Sequence, residues 1–273
     1  MRMAKPLALA LLQRKASLVG AFFMAAICAM PAQAFCPLPV KPQQVAVRQV
    51  LDGDTVRLGD GRSVRLIGIN APELGRKGRP SEPYAEAARQ RLQALIKASD
   101  GRVGLVRGAE AKDKYGRTLA HIYGRNGDNL EAVLISEGLG LRVAIAPNVR
   151  LAGCLDAAEQ AARSSRLGLW RQSPVQRESA LRQSGFAVLS GTVRRIERNR
   201  GGVWLDLGER VVVQVPARLQ RHFPARFFDN LKGRQVEVRG WVIDRSRKGV
   251  NKPGQRRWLL PLTDPSMLKR VSG

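Results

Sequence analysis

The stretch DGDTVRLGDGRSVRLIGINAPE, residues 52–73, carries the pattern from which the fold is predicted. Two strand-like runs, 55–58 and 63–69, flank a Gly-Asp-Gly turn at 59–61. Two such runs around a tight turn are typical of a β-hairpin. A third strand-like run, 45–50, precedes the quoted stretch, so we expect a small antiparallel sheet to begin here.

Helical patterns follow the hairpin. From Glu82 to Ala98 the apolar residues recur at helical spacing, at Ala85, Ala88, Leu92, Leu95 and Ile96. Further strands are predicted at 103–106 and 118–123, and further helices at 129–137 and 154–166. Strands that come first, with helices packed on them, indicate the α+β class and a five-stranded barrel of the OB type with three helices.

A second strand-rich unit follows a polar stretch. Its predicted strands are 186–195, 203–207, 211–215, 235–243 and 258–262, with a short helix near 217–228 between the third and the fourth. This order matches a second OB-like β-barrel. We therefore predict a first domain at 35–172, a linker at 173–185 and a basic OB-like domain at 186–273.

Positive charge dominates the composition. The chain has 47 Lys and Arg against 22 Asp and Glu, a formal net charge of +25, and residues 173–273 hold 21 of the basic and 8 of the acidic residues. Basic surfaces attract phosphate backbones, so nucleic acid is the predicted partner. Adhesion to other anionic polymers or to anionic lipids is the alternative. The basic loop 245–257 is a candidate contact, and Trp204, Trp241 and Trp258 could stack on bases or pack in the core.

The N-terminus has the pattern of a secretory signal. Four basic residues lie within the first 15 positions, an uncharged stretch covers 16–30, and Ala32-Gln33-Ala34 is a small-x-small cleavage site. We predict cleavage after Ala34, export to the periplasm or the medium, and no stable membrane insertion afterwards. An uncleaved membrane anchor is the alternative, because no charge appears again before Lys41.

Two cysteines remain after such cleavage, Cys36 and Cys154. In an oxidising compartment an isolated pair often forms a disulfide, which is the interpretation we favour over two unrelated thiols. The histidines, His121 and His222, are isolated and do not predict a zinc site.

Three short motifs carry the candidate chemistry. They are Asp-Gly-Asp-Thr at 52–55, Arg-Leu followed by Asn-Ala-Pro-Glu within 65–73, and Asp-Lys-Tyr-Gly-Arg at 113–117. Each alone is a turn or the end of a strand. In this order and spacing they resemble the staphylococcal nuclease (thermonuclease) family, over about 45–170. The resemblance implies a calcium-dependent nuclease that cleaves DNA, with RNA as a further candidate substrate.

The resemblance also implies a Ca²⁺ site. Asp54 matches a ligand aspartate, Asn70 takes the place of a second ligand aspartate, and Ala71 matches a residue that contributes its backbone carbonyl. An amide oxygen can bind calcium, but the lost carboxylate lowers the expected affinity.

Five further residues have implied roles at the substrate. Arg65 and Arg117 match the pair that holds the phosphate, and Glu73 matches the glutamate that activates or positions the attacking water. Lys114 and Tyr115 match groups that contact the nucleotide's phosphate. Guanidinium groups suit this task because they stay charged and bind two oxygens each.

One departure from the family concerns base stacking. Two tyrosines that stack on the base in the family have no match, and the aligned stretch reads Val-Ala-Ile-Ala at 143–146. A nucleic-acid-binding protein with a vestigial active site is therefore the second hypothesis, and a surface adhesin is a weaker third.

Overall fold

A computed structural model describes Cys36 and residues 41–75, 78–248 and 255–271. The predicted signal peptide at 1–34 lies outside the described residues, as does much of the basic loop, at 249–254. In the described ranges no helix has the length and apolar character needed to cross a membrane.

The first barrel closes in the strand order β1-β2-β3-β6-β5. Its strands are β1 (Gln43–Val50), β2 (Thr55–Leu58), β3 (Ser63–Leu66), β5 (Arg102–Lys112) and β6 (Thr118–Tyr123). All its pairings are antiparallel except β3 with β6. Outside the barrel, β4 (Ile69–Asn70) pairs with β7 (Leu141–Arg142).

Three helices pack on this barrel: α1 (Ala85–Lys97), α2 (Leu130–Ser136) and α3 (Ala152–Ser164). The helix α1 buries Ala85, Ala88, Leu92 and Ile96, the stripe that the sequence pattern predicts. The helix α2 begins where the Asn129 side chain accepts a hydrogen bond from the Ala132 amide at 2.8 Å.

The second barrel repeats the strand order of the first. Its strands are β9 (Gly185–Asn199), β10 (Gly202–Leu207), β11 (Val211–Pro216), β12 (Gln235–Asp244) and β13 (Trp258–Pro261), and pairing of β12 with β9 closes it. Two short strands, β8 (Val175–Arg177) and β14 (Leu268–Arg270), extend its sheet. The predicted α+β class with two tandem barrels is confirmed.

Two segments of the second unit differ from the sequence prediction. The helix expected near 217–228 is a 3-10 helix at Ala217–His222, and Pro224 stands where the helix would have to continue. Within the predicted linker, β8 pairs in parallel with β9, and Leu181 is buried. This stretch therefore packs against the second barrel.

A disulfide joins Cys36 to Cys154 in α3, with the two Cα atoms 5.5 Å apart. Both residues belong to or pack against the apolar core of the first barrel. The bond joins positions 118 residues apart. A cross-link over so long a loop removes much conformational freedom from the unfolded chain.

We expect the paired substitution Cys36→Ser, Cys154→Ser to lower the free energy of unfolding by about 2–5 kcal/mol. Chemical denaturation with and without reductant measures this. The oxidised native chain and the double variant should differ, and reduction should shift only the native chain. Equal midpoints in all samples would contradict the prediction.

The two barrels meet through a buried ionic cluster. Arg239 of β12 donates from one Nη1 to both carboxylate oxygens of Glu159 in α3, at 2.7 Å each, and pairs with Glu237 at 2.9 Å. Burial opposes the charge of Arg239, but Glu159 and Glu237 raise its pKa above the ordinary value. Arg142, also buried, donates its amide to Glu159 at 2.9 Å and its guanidinium to the Ser266 carbonyl at 2.7 Å.

Apolar contacts continue the same interface. Val143 and Ala144, which follow β7, are buried in the core cluster of the second barrel. Thr263 donates its hydroxyl to the Ala144 carbonyl at 2.7 Å. Both barrels belong to one compact unit, Ala34–Gly273.

Replacing Arg239 with Ala leaves Glu159 buried without its main cation, so we expect a loss of about 3–5 kcal/mol in unfolding free energy. Removing both charges, with Arg239→Met and Glu159→Gln, should recover part of that loss. Thermal and urea denaturation measure both, with Arg218→Ala at an exposed arginine as the control. The interpretation fails if the double variant is as unstable as Arg239→Ala.

Candidate active site

Asp54 lies in the turn between β1 and β2 and is buried. Its Oδ1 accepts the Thr55 hydroxyl at 3.0 Å, and its Oδ2 accepts the Ala71 amide at 2.8 Å. A Cβ atom at Gly53 would lie 2.6 Å from the Cβ of Ala71 and 2.7 Å from that of Ala88, so glycine allows this close approach. The turn therefore brings Asp54 against the segment that follows β4.

Arg65 faces Asp54 from β3, with its Nη2 2.9 Å from Oδ2. Its Nη1 donates to the carbonyls of Leu66 at 2.7 Å and Ile69 at 2.9 Å. These bonds engage three of the five guanidinium N–H groups and fix the orientation of the side chain. The two others have no hydrogen-bond partner among the described residues and can donate to an anionic ligand.

The groups around Asp54 fit a hard cation in their chemistry. Burial raises the pKa of Asp54 to about 7, Arg65 acts in the opposite direction, and Asp52 adds to the rise. A second positive charge would stabilise this carboxylate. Ca²⁺ prefers oxygen ligands, and the residues predicted to hold it, Asp54, Asn70 and Ala71, offer a carboxylate, an amide oxygen and a backbone carbonyl. Asp52 lies beside Asp54, since its Oδ1 accepts the Asp54 amide at 3.0 Å. The part of the chain that the structure describes contains no group of three or more His, Cys, Asp or Glu residues arranged as a metal site.

The turn 113–117 presents three of the predicted residues. Asp113 accepts the amides of Tyr115 at 2.9 Å and Arg117 at 3.0 Å, and its Oδ2 accepts Arg117 Nε at 2.7 Å. Burial acts to raise the pKa of Asp113, but these hydrogen bonds hold it below its ordinary value. Gly116 has a φ of 79°, a left-handed conformation that favours glycine.

Tyr115 is 72% exposed, and two cations lie close to its ring. Lys114 Nζ is 5.0 Å from the ring centroid, and the Arg117 guanidinium carbon is 5.6 Å from it. Cations at these distances are attracted to the ring face, so the turn holds an aromatic group and two positive charges together.

A pocket of about 490 Å³ brings together residues from distant parts of the chain. We call it the arginine pocket; it is lined by Arg65, Lys114, Tyr115 and Arg117, with Ile69, Val143, Ile145 and Trp241 among its other walls. Four of the predicted site residues thus meet in one cavity that combines cations with apolar surface.

Asn70 and Glu73 line a different pocket, of about 590 Å³, together with Glu82, Phe186 and Trp241. We call it the glutamate pocket. The exposed Glu73 is fixed through its backbone, since its amide donates to Glu82 Oε2 and its carbonyl accepts the Glu82 amide, each at 2.9 Å. Neighbouring residues of β4, Ile69 and Asn70, line different pockets. The predicted site residues therefore do not share one cavity: four line the arginine pocket, Asn70 and Glu73 line the glutamate pocket, and Asp54 and Ala71 line neither.

Trp241 of β12 is one of the three tryptophans for which the sequence left two roles open, stacking on bases or packing in the core. It lines both pockets, although it belongs to the second barrel. Trp258 is fully buried, and Trp204 is half-buried and donates to Asn199 at 2.9 Å. Trp241 differs from the other two tryptophans in its position along the chain. It lies two residues after Arg239, on the outward-facing side of β12.

Comparison with known families identifies the region that holds these residues. The family model described as "Staphylococcal nuclease homologue" matches residues 63–172. This range includes Arg65, Asn70, Glu73 and Arg117 and begins after Asp54. The second barrel lies beyond its end.

Similar proteins include a thermonuclease of Staphylococcus intermedius, 34% identical over 137 residues, which are 49% of this chain and 79% of that protein. A thermonuclease of Staphylococcus hyicus is 29% identical over 131 residues, 47% of this chain and 76% of that protein. The endonuclease YncB of Bacillus subtilis is 31% identical over 134 residues, 47% of this chain but 62% of its own length.

Proposed function

This chain belongs to the staphylococcal nuclease family, and from that membership we propose that its first barrel is a calcium-dependent nuclease with little sequence preference. Its proposed substrate is DNA, with RNA as a further candidate. Its similarity to thermonucleases and endonucleases supports the general activity, hydrolysis of phosphodiester bonds with nucleic acid as the substrate. The single observation that carries the proposal is the meeting of Arg65, Lys114, Tyr115 and Arg117 in the arginine pocket.

Binding of the scissile phosphate is assigned to Arg65 and Arg117. Hydrolysis builds negative charge on the phosphoryl oxygens, and preorganised guanidinium donors stabilise that charge in the transition state. Arg65 is held by Asp54 and two carbonyls, and Arg117 is held by Asp113. Both groups therefore need little reorganisation to receive a phosphate. Lys114 and Tyr115 contact the same or a neighbouring phosphate.

Ca²⁺ is assigned to Asp54, Asn70 and the Ala71 carbonyl. A bound calcium ion supplies positive charge that screens the phosphoryl oxygens. Asp54 stays in place because the Ala71 amide and the Thr55 hydroxyl hold its two oxygens.

Activation of water is assigned to Glu73. Its carboxylate, exposed in the glutamate pocket, accepts a proton from the attacking water as the new oxygen–phosphorus bond forms. The bond from phosphorus to the leaving ester oxygen breaks, and that oxygen takes up a proton from solvent. The backbone bonds to Glu82 position Glu73 without using its carboxylate.

Export of the chain is a further part of the proposal. The signal-like pattern before residue 35 supports it, and so does the Cys36–Cys154 bond, because stable disulfides are typical of oxidising compartments.

A vestigial nucleic-acid-binding protein is the second candidate function. Asn70, which removes one negative charge from the proposed cation site, favours it, as does the positive charge of residues 173–273. This candidate predicts salt-sensitive binding of DNA without metal-dependent cleavage.

Calcium dependence is tested with the purified chain on single- and double-stranded DNA. We expect cleavage with calcium and none with a chelator. Asn70→Asp adds a negative ligand and should lower the half-saturating calcium concentration about tenfold, because ligand charge tunes calcium affinity. Calorimetric calcium titration gives the same comparison without turnover. No heat of binding in either protein would contradict the assigned site, and absence of cleavage at high calcium would favour the vestigial binder.

The assigned roles are tested with Glu73→Gln and Arg117→Ala. Loss of a general base should lower kcat about 10²–10⁴-fold, and loss of a preorganised donor should lower it about 10²–10³-fold. Arg125→Ala is the matched control, because Arg125 is an exposed arginine that pairs with Asp100 and lines neither pocket. Wild-type rates in either active-site variant would show that its role is wrongly assigned.

A further inference from the structure

Exposed apolar side chains gather at the mouth of the arginine pocket. Six large hydrophobic side chains among the described residues are exposed, and three of them, Tyr115, Ile145 and Trp241, line this pocket. The exposed fraction is 39% for Trp241 and 42% for Ile145. Such clustering beside cationic groups marks a binding surface for a ligand with both apolar and anionic parts.

The alternation of β12 accounts for the position of Trp241. Val238 and Val242 point into the core of the second barrel, and Arg239, Trp241 and Ile243 share the opposite face. Arg239 is covered by Glu159 of α3, whereas Trp241 and Ile243 lie beyond that cover and are exposed. Beyond Arg239, β12 thus leaves the interface with α3, and the Trp241 indole lies at the edge of the first barrel.

The Trp241 indole contacts an aromatic side chain of its own barrel. Phe186 of β9 pairs directly with Trp241 in the strand register, and the two ring centroids lie 5.0 Å apart with an interplanar angle of 68°. A near-perpendicular aromatic pair of this kind restricts the ring and is favourable beyond the buried area. This contact therefore helps to orient the indole that lines the two pockets.

The neighbours of Trp241 limit the chemistry of its ligand. The arginine pocket supplies Arg65, Lys114 and Arg117 for anions, and the indole and Ile145 supply flat apolar surface. A nucleotide has both parts, a phosphate and an aromatic base. Stacking on tryptophan tolerates any base, because every base has a π-face.

We infer that Trp241 stacks on a nucleobase next to the scissile phosphate, so that the second barrel contributes directly to the nuclease site. This inference rests on the proposed function and adds a substrate-binding residue from outside the matched nuclease region. The second barrel then orders the strand at the point of cleavage, in addition to any contact made by its basic surface.

The test compares the full chain with Trp241→Ala, Trp241→Phe and Ile243→Ala. Ile243 is the matched control, because it lies on the same face of β12, is 40% exposed and lines neither pocket. Binding of short single-stranded DNA is measured with a chelator present, by anisotropy of a labelled strand. Loss of one stacked base corresponds to about 5- to 150-fold in affinity. We expect Trp241→Ala to fall in that range, Trp241→Phe to retain most of the affinity, and Ile243→Ala to match the native chain.

A series of strands, each with one abasic sugar, separates stacking from structural damage. One abasic position should weaken binding to the native chain and leave binding to Trp241→Ala unchanged. When cleavage is measured with calcium present, the weaker substrate binding of Trp241→Ala should appear mainly as a higher KM. Native-like affinity of Trp241→Ala would overturn the inference, and so would an equal loss of affinity at every abasic position in both proteins. Neither outcome bears on the proposed nuclease function, which cleavage by the native chain supports. Absence of cleavage by the native chain would instead overturn the proposed function, and the binding comparison would still decide the role of Trp241.

Discussion

The buried pair between Arg239 and Glu159 is the contact on which the arrangement of this chain depends. An ionised side chain is stable inside a protein only if a partner and further hydrogen bonds replace its water, and here each charge has the other as partner. Arg239 donates to both oxygens of Glu159, and this contact ties β12 to α3 in a defined register. That register fixes the second barrel against the first and sets the position of every outward-facing residue further along β12.

The candidate site follows from local chemistry as well as from this contact. Asp54, Arg65 and Ala71 are joined by short hydrogen bonds within the first barrel, and the turn that carries Tyr115 and Arg117 is closed by Asp113. The two pockets, however, share a wall from the second barrel. The first barrel therefore holds the groups assigned to the phosphate, and the interface between the barrels shapes the space around them.

The elements that could be predicted from the sequence are those encoded over short distances. The hairpin at 55–66 and the helix α1 follow from alternation, a Gly-Asp-Gly turn and helical spacing, all visible within about 15 residues. The site motifs are short as well, so candidate site residues could be predicted from the sequence. The pairing of Arg239 with Glu159 joins positions 80 residues apart and leaves no local pattern. The short helix predicted near 217–228 is present only as a 3-10 helix that ends at His222, before Pro224.

The burial of Val143 and Ala144 in the second barrel has a consequence for how the chain can be divided. These residues belong to the region that matches the nuclease family, yet their apolar cover is supplied by residues beyond 172. A fragment cut at the end of the matched region would expose them and would leave Glu159 without Arg239. The two barrels are therefore coupled in folding, and the unit that recombination could transfer intact between genes is the pair of barrels rather than the nuclease barrel alone.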